Sequence, residues 1–361
     1  MPKFIIYVVE ESYKDYSIEH SIVKEAGGEL RFANCHTEED ICNQCYDANA
    51  LLLRQTPVGE RVFRTLKNLK IISRYGSGYD NVDVKAATEA GVMVTIVPDY
   101  CTGEVADHTI ALLLAAIRKI PQRDRLVRQG HWDISSNMPV LRTEGKILGL
   151  VGYGRTAREV RKRLGGFPFR FVACDPYIDQ HIFYEDNTLS LDLQNLLLVS
   201  HYVSIHLPLT EETHHLFNIE TFKMMRRDAI LINTSRGGVV NLKDLDCALK
   251  EGLIQGAALD VFEEEPFDIK GPLRELDSVI LSDHSAWYSE ESLAELQRRT
   301  ALEAVNYLCG KIPENPVNPE VLTLKSVIVE RKRWANQAEE KLIYTPAFNY
   351  LCTGNISRHQ I

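Results

Sequence analysis

At 361 residues, with 45% apolar and 25% charged side chains and a formal net charge of −9, the chain is long enough for two ordinary cores and has neither a disordered nor a fibrous composition. The acidic balance argues against nucleic-acid binding, and no run approaches the ~18 unbroken apolar residues of a membrane-spanning helix. The opening MPKFIIYVVEES lacks the pattern of a signal peptide, and the eight cysteines are scattered, so reduced thiols and a cytoplasmic location are expected.

In chain order, short apolar runs alternate with helical patterns, the signature of parallel α/β sheets with crossover helices. Candidate strands occupy 3–9, 48–54, 69–75 and 91–97, with a helix between the last two closed by Gly91. Cys35-His36 followed by Cys42-x-x-Cys45 has the ingredients of a zinc site. Thr37-Glu38-Glu39-Asp40 reads instead as a helix cap with an acidic first turn, which makes Cys42 and Cys45 small core residues on one helical face; no metal is expected.

A long apolar helix without an internal turn signal follows at 104–120, and such a helix can bridge two domains. A second α/β series begins at 145–152 and continues with strands at 170–175, 201–207, 229–235, 256–262 and 278–283, before a helix at 289–310. The expected division is a discontinuous domain of residues 1–100 plus 290–322, a second domain at 101–289, and an extension at 323–361. That extension carries six Lys/Arg against three Glu, and its role is open.

Gly152-Tyr153-Gly154-Arg155-Thr156-Ala157 fits G-x-G-x-x-[GA] between a strand and a helical pattern. Gly152 permits the tight turn, Gly154 lets backbone approach a pyrophosphate, and Ala157 keeps helix and strand close. The next strand ends at Asp175, where a carboxylate accepts from a ribose diol and repels a 2′-phosphate. The expected cofactor is NAD rather than NADP.

Ligands of open α/β sheets bind beyond the carboxyl ends of the strands. Three successive strand ends there deliver Arg236, then Asp260 to Glu265, then His284. A guanidinium holds a carboxylate bidentately and polarises a neighbouring carbonyl, an imidazole donates a proton, and a nearby carboxylate favours the protonated ring. That set suits hydride transfer to a 2-oxo acid, the hydride coming from the nicotinamide. Within the acidic triplet, Glu263 and Glu264 read as a solvated turn, and Glu265, next to Pro266, as the partner of His284.

Through RYGSGYDNVD (74–83), VPDYCTGEVADH (97–108), GLVGYGRTA (149–157), HLPLTEETHHL (206–216), NTSRGG (233–238), ALDVFEEEP (258–266) and DHSAWYSEES (283–292), the chain resembles the D-isomer-specific 2-hydroxyacid dehydrogenase family over roughly residues 45 to 320. Within it, the sequence is most similar to the branch that includes the C-terminal-binding-protein co-repressors and their bacterial dehydrogenase relatives. The resemblance implies two Rossmann-like or flavodoxin-like parallel-sheet domains joined by two long helices, with a cleft between them where closure excludes water. It also implies a homodimer formed through the cofactor domains.

The same resemblance implies site roles. Arg236 anchors substrate, His284 is the acid/base and Glu265 its partner; Ser77 and Gly78 offer backbone N–H groups to the substrate carboxylate. Asp260 meets the nicotinamide carboxamide, with Thr234, Ser235, Arg236 and His284 beside the cofactor. Arg155 and Thr156 lie at the pyrophosphate, and His206, Pro208 and Thr213 border the adenosine side. Arg54 is read as a surface arginine, with a contact to a second anionic group of the substrate as the other reading. Two departures from the family pattern are Arg226-Arg227-Asp228 in place of Lys-Pro-Gly, and Phe167-Pro168-Phe169 in place of Phe-Gly-Phe.

The expected function is NAD-dependent interconversion of a D-2-hydroxy acid and its 2-oxo acid, with neither nucleic acid nor membrane as partner. The alternative is an NAD-sensing, co-repressor-like dimeric binding protein, against which stand the missing nuclear-localisation run and long tail. Glutamate rather than glutamine at 265 argues against formate oxidation; phosphite oxidation stays open.

Overall fold

The computed structural model describes residues 2–134, 140–267 and 271–323. The chain divides into two compact units, one formed by residues up to 100 together with those from 293 onward, the other by residues 101–292. The extension, Cys352 included, lies outside the described residues from 324 on.

The first unit runs β1 (Ile5–Val8), α1 (Ser17–Glu25), β2 (Glu29–Phe32), α2 (Glu38–Gln44), β3 (Ala50–Leu53), α3 (Glu60–Thr65), β4 (Ile71–Arg74), α4 (Val84–Glu89) and β5 (Met93–Thr95). Its sheet has five parallel strands in the order β2-β1-β3-β4-β5. Four of these match apolar runs, and β3 is buried along its whole length, as a strand covered on both faces must be. The fifth, β2, is ELRF at the sheet edge; its Glu29 and Arg31 hide it from a search for apolar runs.

Helix α2 starts where the acidic stretch predicts. Thr37 accepts from Asp40 N–H, and the Asp40 side chain reaches back in a capping box. Cys45 is fully buried beside Ile41, but Cys42 only partly so, with its Sγ 3.9 Å from Arg61 O. Among the described residues no group of three His, Cys, Asp or Glu side chains could hold a metal ion, and no helix is long and apolar enough to cross a membrane.

The second unit contains α5 (Thr102–Arg118), α6 (Ile120–Arg128), β6 (Ile147–Val151), α7 (Arg155–Arg163), β7 (Arg170–Cys174), α8 (Gln180–Glu185), β8 (Leu189–Ser190), α9 (Leu193–Val199), β9 (Tyr202–Ile205), α10 (Ile219–Met224), β10 (Ile230–Asn233), α11 (Leu242–Lys250), β11 (Gly256–Leu259) and β12 (Val279–Leu281). Within α12 (Glu290–Leu308) the chain returns to the first unit. The helix expected at 104–120 does not run through: Lys119 takes φ 57° and separates α5 from α6. Pro121 accounts for the break, because it has no N–H to give the Ile117 carbonyl and its ring would clash with that carbonyl in a continuous helix.

The seven parallel strands are ordered β12-β11-β10-β9-β6-β7-β8, a doubly wound sheet whose order reverses at β6. Alternate residues feed two cores. Val203, Leu231 and Leu259 face one side, whereas Tyr202, Ile230, Ile232 and Ala258 face the other with Leu112, Leu113 and Ile117 of α5. Both departures from the family pattern make local contacts, and Phe169 also packs edge-on against Phe171 and Tyr202. Arg226 pairs with Asp228 at 2.8 Å, and Phe167 stacks on Phe169 at 5.9 Å.

Candidate active site

Sheet register builds the site. Cys174, Val151, Ile205, Asn233, Leu259 and Leu281 stand in one row across six strands. One residue further along each strand come Asp175, Gly152, His206, Thr234, Asp260 and Ser282. The parallel pairing therefore carries these strand-end residues together at the carboxyl end of one sheet.

At its cofactor end, Gly152 has φ 85°, and a Cβ there would lie 2.6 Å from His206 O, so only glycine fits. Gly154 caps α7 without a side-chain hydrogen bond, and a Cβ on it would meet no atom within 4 Å. The first N–H groups of α7 and this open space fit a pyrophosphate. Arg155 is exposed beside them, Thr156 half-buried and Ala157 buried against the sheet. Asp175 accepts from Tyr153 N–H at 2.8 Å through Oδ2 and from Tyr177 N–H at 3.0 Å through Oδ1. The carboxylate is thus fixed beside the glycine turn, with lone pairs remaining for a ribose diol.

His206 Nε2 lies 2.9 Å from Ser204 Oγ, and burial pushes its imidazole down to about 4, so the ring is neutral near pH 7. Thr213 Oγ1 donates to Pro208 O at 2.6 Å, closing that loop on itself.

The reaction end rests on Asn233, a strand residue that carries no catalytic signal in the sequence. Fully buried, it accepts from Ser235 N–H and Oγ at 3.0 and 2.8 Å and donates to Arg236 O at 2.9 Å. Arg236 Nη1 donates to Ser235 O at 2.8 Å, and Thr234 Oγ1 lies 2.7 Å from Thr109 Oγ1 on α5. A Cβ on Gly237 would fall 1.9 Å from Phe262 C, so glycine is what lets this loop close on the backbone that precedes Glu265.

Glu265, in cis linkage to Pro266, accepts Phe262 N–H at 3.0 Å, and its Oε2 lies 2.5 Å from His284 Nδ1. Burial alone pushes this carboxyl up; the His284 hydrogen bond and charge, the Phe262 N–H and the Arg236 charge outweigh it and hold it below the usual glutamate range. His284 has φ 54°, and its N–H donates to Asp260 O at 2.8 Å. Asp260 is fully buried and accepts from Ser282 Oγ at 2.7 Å and from the Ser285 and Ala286 N–H groups at 3.0 Å each.

Glu264 is exposed, as an acidic turn predicts. Glu263 is not merely solvated. One oxygen pairs with His215 Nε2, and the other accepts Leu242 N–H at 2.9 Å at the start of α11. In the first unit, Ser77 and Gly78 follow β4, Ser77 exposed, and neither N–H has an acceptor among the described residues. Arg54 follows β3, and its N–H donates to Glu10 at 2.6 Å.

The model of the D-isomer specific 2-hydroxyacid dehydrogenase NAD-binding domain matches residues 110–286. The chain is 40% identical to a glyoxylate reductase of Korarchaeum cryptofilum, over 79% of this chain and 87% of that one. It is 38% identical to a D-3-phosphoglycerate dehydrogenase of Methanocaldococcus jannaschii over 82% of this chain, spanning 56% of that longer protein. The apo-structure of D-lactate dehydrogenase from Escherichia coli superposes with a TM-score of 0.73 at 28% identity, covering 87% of this chain and 99% of that one.

Proposed function

The chain belongs to the D-isomer-specific 2-hydroxyacid dehydrogenase family and is an NAD-dependent oxidoreductase of 2-hydroxy acids; from that premise we propose that it reduces a small 2-oxo acid of glyoxylate type to the 2-hydroxy acid, the D isomer wherever the product is chiral. The pairing of His284 Nδ1 with Glu265 Oε2 at 2.5 Å, one strand away from Arg236, carries this reading. Glyoxylate reductases are matched over 82–87% of their length, which favours a small acid.

Bound NADH supplies the hydride. Arg236 takes the substrate carboxylate in its fork and polarises the adjacent carbonyl. With Nδ1–H committed to Glu265, His284 delivers its proton from Nε2 to the oxygen that becomes the hydroxyl. Glu265 keeps the ring oriented and favours its protonated form. Arg155 and Thr156 serve the pyrophosphate, and Asp175 the ribose. His206, Pro208 and Thr213 border the adenosine, while Thr234, Ser235 and Asp260 lie toward the nicotinamide. A homodimer through the second unit is part of this reading, supported by Trp132 and Ile134, which are 89% and 91% exposed there.

The test is turnover of NADH with glyoxylate, hydroxypyruvate, pyruvate and 3-phosphohydroxypyruvate. His284→Ala should abolish it while NADH binding persists, and Arg236→Lys should raise the Michaelis constant for the oxo acid. Tight NADH binding with no turnover of any acid by the wild type would favour the binding-protein alternative instead.

A further inference from the structure

His108 lies in α5, outside every role described above. Its Nε2 is 3.1 Å from Ser282 Oγ and 3.4 Å from Asp260 Oδ1, and its side chain is 27% exposed. Ser282 Oγ donates to the same Asp260 oxygen at 2.7 Å. Asp260 in turn holds His284 and the two residues after it: its carboxylate accepts the Ser285 and Ala286 N–H groups, and its carbonyl accepts that of His284. The left-handed backbone of His284, φ 54°, is strained for a non-glycine residue and persists only where the surroundings impose it.

Counting donors fixes the state of His108. Carboxylate oxygens only accept, and the one hydroxyl proton of Ser282 is directed to Asp260. The imidazole nitrogen facing both oxygens must therefore be the donor. We propose that His108, with its proton on Nε2, is a positioning residue for the reaction: it fixes the Asp260–Ser282 pair and through it the presentation of His284 to Glu265. The inference rests on the reading of His284 as the acid/base. Thr109, the next residue of α5, supports it from a second contact, because its hydroxyl meets Thr234 at the end of β10. Adjacent side chains of one helix thus reach two strand ends that carry site residues.

A histidine that only fills space is replaceable by phenylalanine, whereas a donor is restored by glutamine. His108→Phe should lower kcat on the order of ten- to a hundredfold, the upper figure being what a misplacement of about 1 Å can cost, with NADH affinity retained, and His108→Gln should recover most of the loss. In wild-type protein labelled with 15N-histidine, the neutral His108 ring should show the Nε2–H tautomer. Equal losses in the two variants, an unchanged kcat in His108→Phe, or the Nδ1–H tautomer would overturn the proposal. Should His108→Phe fail to fold, the glutamine variant and the tautomer still decide it. Turnover surviving in His284→Ala would instead bring down the acid/base reading, a result distinct from an inert His108 beside an essential His284.

Discussion

Glu265 Oε2 lies 2.5 Å from His284 Nδ1, while Oε1 is tied to Phe262 N–H at 3.0 Å. The second bond aims the carboxylate, so the ring meets a fixed charge rather than a mobile one. Glutamine at this position keeps a carbonyl but loses the charge that favours the protonated ring. In Glu265→Gln the fall of the reductase rate with rising pH should therefore move toward acid, read from kcat against pH. The stability sign is separate. A carboxyl held low in the fold contributes stability above its ordinary value of 4.5 and loses it as pH falls through the lower folded value, so the variant should lack that acid-side loss. A pH–rate profile superposable on the wild type would remove Glu265 from the proton-transfer pair.

Asp175 does two jobs, holding Tyr153 N–H of the glycine turn and Tyr177 N–H beyond it. Asp175→Ala should weaken NADH binding by about tenfold, the loss of roughly one charge-assisted hydrogen bond, and raise the relative use of NADPH, since the charge opposing a 2′-phosphate is gone. Steady-state kinetics with both cofactors would read the ratio. An unaltered preference would place the discrimination elsewhere.

The six-strand row explains why so much of this site is legible in the sequence. In this sheet the last residues of six strands are register partners, and ligands of such sheets bind beyond the carboxyl ends, so a motif at a strand end is located as soon as the strand is found. The glycine turn, Asp175, Arg236, Glu265 and His284 all signal in this way. What stayed hidden lacks a strand-end signal or an apolar run. His108 sits on a helix face among apolar residues, Asn233 is a strand residue whose amide turns inward, and β2 is an edge strand carrying Glu29 and Arg31. The break at Lys119 was signalled by Pro121 but outweighed by the continuous apolar stripe before it.

Glu19 is a carboxylate that the sequence gives no reason to bury. It is fully covered in the first unit, accepting from Tyr75 Oη at 2.9 Å and from Gln297 Nε2 at 3.3 Å. Burial pushes its carboxyl above the ordinary 4.5, the hydrogen bonds opposing but not cancelling that rise. The folded form therefore binds the proton more tightly than the unfolded chain. This contribution to stability is complete below 4.5 and is lost as pH rises through the higher folded value. Glu19→Gln removes the titration. In denaturant unfolding at a series of pH values, the wild type should gain on the variant as pH falls from neutrality, and a constant difference would contradict it.

Glu263 and Glu265 are two residues apart and should fail differently. Glu263 turns away from His284 to pair with His215 and to accept Leu242 N–H in the first turn of α11, where that donor has no partner within the helix. Removing such an acceptor costs about 1 kcal/mol, on the scale of a lost helix cap. Glu263→Ala should lower the unfolding free energy by that amount and leave the pH dependence of kcat in place, because the charge beside His284 is untouched. Glu265→Gln should do the reverse, moving the pH profile. If Glu263→Ala also displaced that profile, the His215–Glu263 pair would have to act on the proton-transfer pair through the short backbone between residues 263 and 265, and the two carboxylates could not be assigned separate work.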